Sequence, residues 1–228
     1  MEMQKMNISK IAVVASNDGF GKAGKEQLQQ IAPQFGIQIL AEEVYDKAAT
    51  DLSAVVAKLM ANKDIQAVVN WSIVPAQSII IKNIRQAGWN VPIFQSHGFG
   101  NIKFVKAAGE AAEGVIFPAG RLLVADVLPN DHPQKAVLVK YKKDYEARFK
   151  EDVSTFGGHA YDAFTILAKA IEQVGPDKTK VREAVEKMQG CVGTAGVFNF
   201  SPTDHTGLAL DAFDMMTVKN GKFVLYDK

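Results

Sequence analysis

The first half of the chain alternates short β-branched runs with amphipathic helical stretches, and this alternation constrains the fold more than any other feature of the 228 residues. Residues 10–15 (KIAVVA) are a continuous apolar run between polar loops, as expected of a strand buried on both faces of a parallel sheet. Residues 19–35 follow as a helix, with Leu28, Ile31 and Ala32 at spacings of three and four. The pattern predicts further strands at 37–44, 66–71 and 91–95 and helices at 52–62 and 75–87. Asp51 is placed to cap the first of these helices, Pro75 to open the second and Gly88 to close it. Strands alternating with helices imply right-handed crossovers and an α/β fold with a doubly wound parallel sheet.

The second half changes character. Helices are expected at 134–149, 157–174 and 178–189, with no strong strand between them, and short strands return at 197–200, 211–218 and 222–226. Asn220-Gly221 marks a hairpin turn. The apolar faces of two of these helices (Leu138, Tyr141, Tyr145, Phe149; Tyr161, Phe164, Leu167, Ile171) need a sheet or a partner, and this stretch supplies too few strands. A largely helical remnant is the expectation, with part of a domain absent from the chain.

Charge and composition narrow the function classes. Lys+Arg of 26 against Asp+Glu of 25 gives no electrostatic case for nucleic acid or an anionic membrane surface. The opening MEMQKMNISKIAVV has neither the pattern of a signal peptide nor that of an anchor. His132 and His205 stand in polar loops without a second histidine at metal spacing, so no metal is expected. His159 reads as a packing or capping residue and the single cysteine, Cys191, as a buried structural thiol. Lys140 to Lys143 read as a solvated helix face, and Arg121 faces either a cleft or solvent. No G-x-S-x-G, H-E-x-x-H or P-loop pattern is present.

One motif points elsewhere. Gly19-Phe20-Gly21-Lys22-Ala23-Gly24 is a literal G-x-G-x-x-G after a strand, with Glu42 and Glu43 eighteen and nineteen residues beyond Gly24. These are the parts of a dinucleotide site and would suit an NAD(P)-dependent oxidoreductase. Against it, Ser16-Asn17-Asp18 separate the strand from the first glycine, and Phe20 puts a bulky side chain in the turn. A βα loop feeding a helix accounts for the same residues.

The order of segments is more specific than any one of them: IAVVASNDGFGKAG, EEVYDKAATDLSAVVAKL, AVVNWSIVPAQSIIIKNIRQAG, VPIFQSHG, AGEAAEGVIFP and FGGHAYDA. This succession resembles the C-terminal two-thirds of type I periplasmic solute-binding proteins of the branched-chain-amino-acid ABC transporter receptor family. The family's Asp-x-x-Tyr-Gly loop is matched by residues 17–21, its Asp-(Phe/Leu)-Ser helix start by Asp51-Leu52-Ser53, and its Ala-Ala-Glu-Gly by residues 111–114. The resemblance implies two α/β lobes with the solute held in a cleft and hinge closure on binding. It further implies an extracytoplasmic location, an ABC permease as partner, no catalysis and no cofactor. On that reading residues 1–118 form a nearly complete lobe, 119–204 the crossover and helical part of the other, and 205–228 the returning strands.

By position in the resemblance, Phe20 matches the aromatic of the first βα loop, and Trp71, Ser72 and Ile73 the loop after the third strand. Phe156 matches an aromatic from the other lobe. His97 falls where amino-acid-binding members carry an acidic residue for the ligand's ammonium group. A carboxylate favours a cationic amine by charge-assisted hydrogen bonding; an imidazole, with an ordinary pKa of about 6.5, does not. Two ligand readings therefore stand: a small organic acid, aromatic in its sharper form, or an amino acid whose amine is held elsewhere. A ligand-sensing regulatory relative is a further alternative to the transport receptor. The unpartnered helical faces also lead to the expectation of a homodimer through the second-lobe helices.

Overall fold

The computed structural model describes residues 2–226. It divides into two compact units, one of residues 2–118 with 216–226 and one of residues 119–215.

The first unit is a layered α/β structure. A short helix α1 (Glu2–Lys5) precedes β1 (Lys10–Ser16), α2 (Gly19–Ile31), β2 (Gln38–Tyr45), α3 (Ser53–Met60), β3 (Ala67–Trp71), α4 (Ala76–Gln86), β4 (Ile93–Gln95), α5 (Ile102–Ala108) and β5 (Ile116–Ala119). The sheet closes with β8 (Asp214–Lys219) and β9 (Lys222–Leu225), in the order β2-β1-β3-β4-β5-β8-β9. Strands β1 to β4 pair in parallel, and β8 and β9 form an antiparallel hairpin. Asn220 and Gly221, at φ 52° and 69°, make the turn of that hairpin, the left-handed pair that an Asn-Gly dipeptide favours.

The unbroken apolar run of β1 follows from its place inside the sheet, where Ile11 to Ser16 are all buried. Helix α2 is shorter than its periodicity predicts. Pro33 lies in a 3-10 turn, Ala32–Phe35, and Gly36 closes it at φ 69°. Pro75 precedes α4 rather than opening it, and Gly88 takes the positive φ expected just past the helix end. Asp51 accepts from the Ser53 amide at the start of α3, and that bond holds its carboxyl below the usual range. At the other end of the sheet, Phe99 packs against Phe104, Phe117 and Phe223.

The second unit has three helices, α6 (Lys135–Phe149), α7 (Thr155–Val174) and α8 (Lys178–Glu186), with β6 (Cys191–Val192) and β7 (Val197–Phe198) as a two-stranded antiparallel sheet. One apolar cluster joins Leu122, Ala125, Leu128, Leu138 and Val153 under Tyr141 and Tyr145 of α6. Another joins Ile166 of α7 to the buried Cys191 and to Ala195, Phe198 and Phe200.

The face of α7 that packs differs from the apolar face its periodicity marks. Gly158, Asp162, Ile166 and Ala170 are buried, while Tyr161, Phe164, Leu167 and Ile171 are exposed. Gly158 allows the close approach, since a Cβ there would press on Leu122 and Thr194. Asp162 then clamps the loop between β6 and β7. Its carboxylate accepts from the Thr194 amide (2.6 Å), the Thr194 hydroxyl (3.0 Å) and the Ala195 amide (2.8 Å). Gln134 holds the same loop, donating to the carbonyls of Gly193 and Thr194. Arg121 pairs with Asp214 at 2.9 Å. No helix among the described residues is long and apolar enough to cross a membrane.

Candidate functional site

The carboxyl ends of parallel strands are where doubly wound sheets present ligand loops. Three aromatic side chains converge there in the first unit. Phe20 lies in the first turn of α2, Trp71 ends β3, and His97 opens the 3-10 turn His97–Phe99 after β4. The Phe20 and Trp71 rings stack with centroids 5.9 Å apart. His97 meets both edge-on, at 5.3 Å from Phe20 and 6.1 Å from Trp71. All three are partly exposed, so the cluster is a polarisable surface with one imidazole rather than a sealed core.

The glycines of the G-x-G-x-x-G segment build this cluster. A Cβ at Gly21 would overlap the Ser16 carbonyl, and one at Gly24 the Trp71 indole, so these residues let α2 lie close against β1 and Trp71. The N-terminus of α2, where a pyrophosphate would sit in a dinucleotide fold, is capped by the chain itself. Asp18 Oδ1 accepts from the Gly21 amide (2.8 Å), and Oδ2 accepts from the Ser16 hydroxyl. Glu42 is engaged by Gln29 and Lys25. A cavity of about 490 Å³ lies beside this loop, lined by Ser16, Asn17, Asp18, Lys22, Lys25 and Val44 among others. Its lining does not include the three rings.

The loop after β3 and the turn after β4 are bound to each other. Ser96 Oγ donates to the Ser72 carbonyl (2.9 Å) and accepts from the Gly98 amide (3.2 Å). Gly98 packs so tightly on Ile73 and Ser72 that a side chain there would collide with both. Ser72 is fully buried, and its hydroxyl accepts from the Val74 amide, so it shapes the loop from inside; Ile73 is half-buried. Of the six residues singled out by sequence, Phe20, Trp71 and His97 share one cluster, with Ser72 and Ile73 in the adjoining loop. Phe156 lies in the second unit, in the first turn of α7, and is 42% exposed.

Sequence reasoning passed over the buried polar residues at the ends of β2, β3 and β4. Tyr45, Asn70 and Gln95 are buried and linked: Tyr45 Oη donates to Asn70 Oδ1, and Asn70 Nδ2 to Gln95 Oε1, both at 3.0 Å. Burial pushes the Tyr45 phenol up to about 12, outweighing the lowering by its bonds to Ser72 and Asn70. An amide at the end of an otherwise apolar strand, as in AVVN and IFQ, is the signal that would have found them.

Comparison with known proteins extends this picture. The family model described as "Periplasmic binding protein" matches residues 2–222. A curated relative, the leucine-, isoleucine-, valine-, threonine- and alanine-binding protein of Pseudomonas aeruginosa, is 26% identical over 219 residues, 95% of this chain and 52% of the relative. An extracellular ligand-binding receptor from Rhodopseudomonas palustris HaA2 superposes with a TM-score of 0.91 at 27% identity, over 99% of this chain and 66% of that one. The substrate-binding protein LivJ of Streptococcus pneumoniae, solved with isoleucine, has the same fold, with a TM-score of 0.79 at 24% identity over 97% of this chain and 60% of that one. The chain thus spans about half the length of the curated relative and slightly under two-thirds of the solved ones.

Proposed function

Because the chain belongs to the periplasmic binding protein family, we propose that it is a non-catalytic, extracytoplasmic solute receptor whose ligand contacts the Phe20–Trp71–His97 cluster and is passed to an ABC permease. The observation that carries this reading is the convergence of three partly exposed rings at the carboxyl ends of the strands. The named relative that binds aliphatic amino acids supports solute binding as the general role.

The solute assigned to this chain is a small organic acid, aromatic in its preferred form. Stacked and edge-on rings suit a planar apolar body. An imidazole at position 97 offers a hydrogen bond to a carboxylate and no anionic partner for an ammonium group. Phe156, matched to a ligand-covering aromatic by the resemblance, is proposed as a further contact. The dinucleotide alternative has less support, because Asp18 caps the helix that would hold the pyrophosphate.

The test is a thermal-shift panel of benzoate, phenylacetate, leucine, isoleucine and NAD. A ligand present at a hundred times its Kd stabilises by about 2.7 kcal/mol, a readable shift. A shift with the aromatic carboxylates, abolished in Trp71→Ala, is the expected outcome. A shift with leucine or isoleucine alone overturns the acid assignment and keeps the receptor, whereas a shift with NAD alone overturns the receptor.

A second copy of the chain is the partner proposed for α7. Its exposed stripe carries Phe164, Leu167 and Ile171 on one side of a helix whose other side is already buried, and contiguous exposed apolar patches mark interaction sites. A two-fold pairing supplies the same stripe from both sides. The formal charge of +1 puts little repulsion between copies.

A further inference from the structure

Two buried polar atoms next to the aromatic cluster lack partners among the described residues, and they are complementary. Gln95 Nε2 is a donor without an acceptor, and Gln77 Oε1 an acceptor without a donor. Gln95 is 3% exposed and Gln77 is 0% exposed, so neither is satisfied by bulk water. Buried amide groups are rarely left unpaired.

The sheet register places both in one layer. Asn70 pairs with Val14 and with Gln95, and Tyr45 with Ser16, so Tyr45, Asn70 and Gln95 point to one face. Trp71, the next residue, points to the opposite face, where it meets Gly24 of α2. In the strand order β2-β1-β3-β4, the β1-to-β2 and β3-to-β4 connections step in opposite directions. Right-handed crossovers therefore put α2 and α4 on opposite faces. Helix α4, with Gln77 in its first turn, covers the face that carries Gln95.

The two amides also flank the turn that bears His97. Gln95 is two residues before His97, and Gln77 Nε2 reaches toward the Gly98 carbonyl at 3.5 Å. A carbonyl oxygen has two lone pairs, so Gly98 can accept from a second donor as well. A donor, an acceptor and a carbonyl are partners of the kind that hold an internal water.

We propose that one ordered water is held between Gln95 Nε2 and Gln77 Oε1, and that through it the two glutamines position the His97–Phe99 turn. Their place as positioning residues of a binding site rests on the receptor reading. The polar ladder then runs unbroken from Tyr45 through Asn70, Gln95, the water and Gln77 to Gly98, tying the ends of β2, β3 and β4 to the turn. Neither glutamine touches the solute on this proposal. Their side chains set where His97 stands against Phe20 and Trp71.

The experiment uses the 228-residue chain without added solute. A crystal structure at a resolution that shows ordered water is expected to contain one within hydrogen-bond distance of both amides. Gln95 Nε2 bonded directly to a protein acceptor, with no water, overturns the proposal. Amide hydrogen exchange across residues 94–104 is then compared for Gln77→Leu, Gln95→Leu and the double variant. Each single variant is expected to speed exchange at the turn on the order of tenfold, and the double variant no more than either, because both report one shared water. Unchanged exchange in the single variants, or a double effect equal to the product of the two, overturns it. Since no solute enters these readouts, a blank ligand panel leaves them standing, and their failure leaves the receptor reading standing.

Discussion

In the sheet unit, β1 is buried from Ile11 to Ser16 and covered on both faces, while in the helical unit the longest helix, α7, leaves Phe164 73%, Leu167 49% and Ile171 44% exposed. The first unit is held by a continuous apolar layer, with Ile80, Ile81 and Ile84 of α4 fully buried. The second is held by two small apolar clusters and by side chains that satisfy loop backbone, above all Asp162 and Gln134. The difference teaches that a helix can be fixed in place through its minor face when that face carries a carboxylate with three bonds. Its larger apolar arc then remains exposed.

This contrast predicts a graded series of effects. The largest is expected for Ile80→Ala, which opens a cavity in a layer unable to collapse around it and should cost about 2–5 kcal/mol in chemical denaturation. A cost below about 1 kcal/mol would show that the sheet unit is not the rigid partner in the comparison. Next is Asp162→Ala, which leaves the Thr194 and Ala195 amides without acceptors and should cost about 2–3 kcal/mol. Asp162→Asn keeps one acceptor and should recover part of that loss. If the alanine variant proves neutral, the second unit is held by apolar contacts after all. The smallest is Phe164→Ser, whose effect on stability should lie within about 0.5 kcal/mol. Its effect should be on mass: light scattering is expected to show a dimer for the parent chain and a monomer for Phe164→Ser. A monomeric parent would remove the second copy as the occupant of α7.

Much of the sheet unit was legible in the sequence because its signals are local. The run KIAVVA, the glycine after α4 and the Asn-Gly turn each reflect backbone and burial preferences that act over a few residues. The aromatic members of the cluster were legible through the order of loops the resemblance supplied. The buried amides were not, because an isolated Asn or Gln at a strand end carries no periodicity. Its partner lies on another strand, as Gln95 does for Asn70. The G-x-G-x-x-G segment shows the opposite failure. A motif with a known chemical use serves here to bring a helix against Ser16 and Trp71, which only the packed neighbours reveal.

The sequence by itself determined the alternation of strands and helices, the parallel character of the first sheet and the family the chain resembles. These follow from residue spacing, and spacing is a property of the chain alone. Only the tertiary structure decided which arc of α7 is buried, what the fingerprint glycines are for and which polar atoms share a buried ladder. A helical wheel offers α7 two arcs, and the choice between them depends on Leu122 and Thr194, which lie more than thirty residues from Gly158, where the lack of a side chain lets them approach, and in the case of Thr194 from the Asp162 carboxylate it bonds.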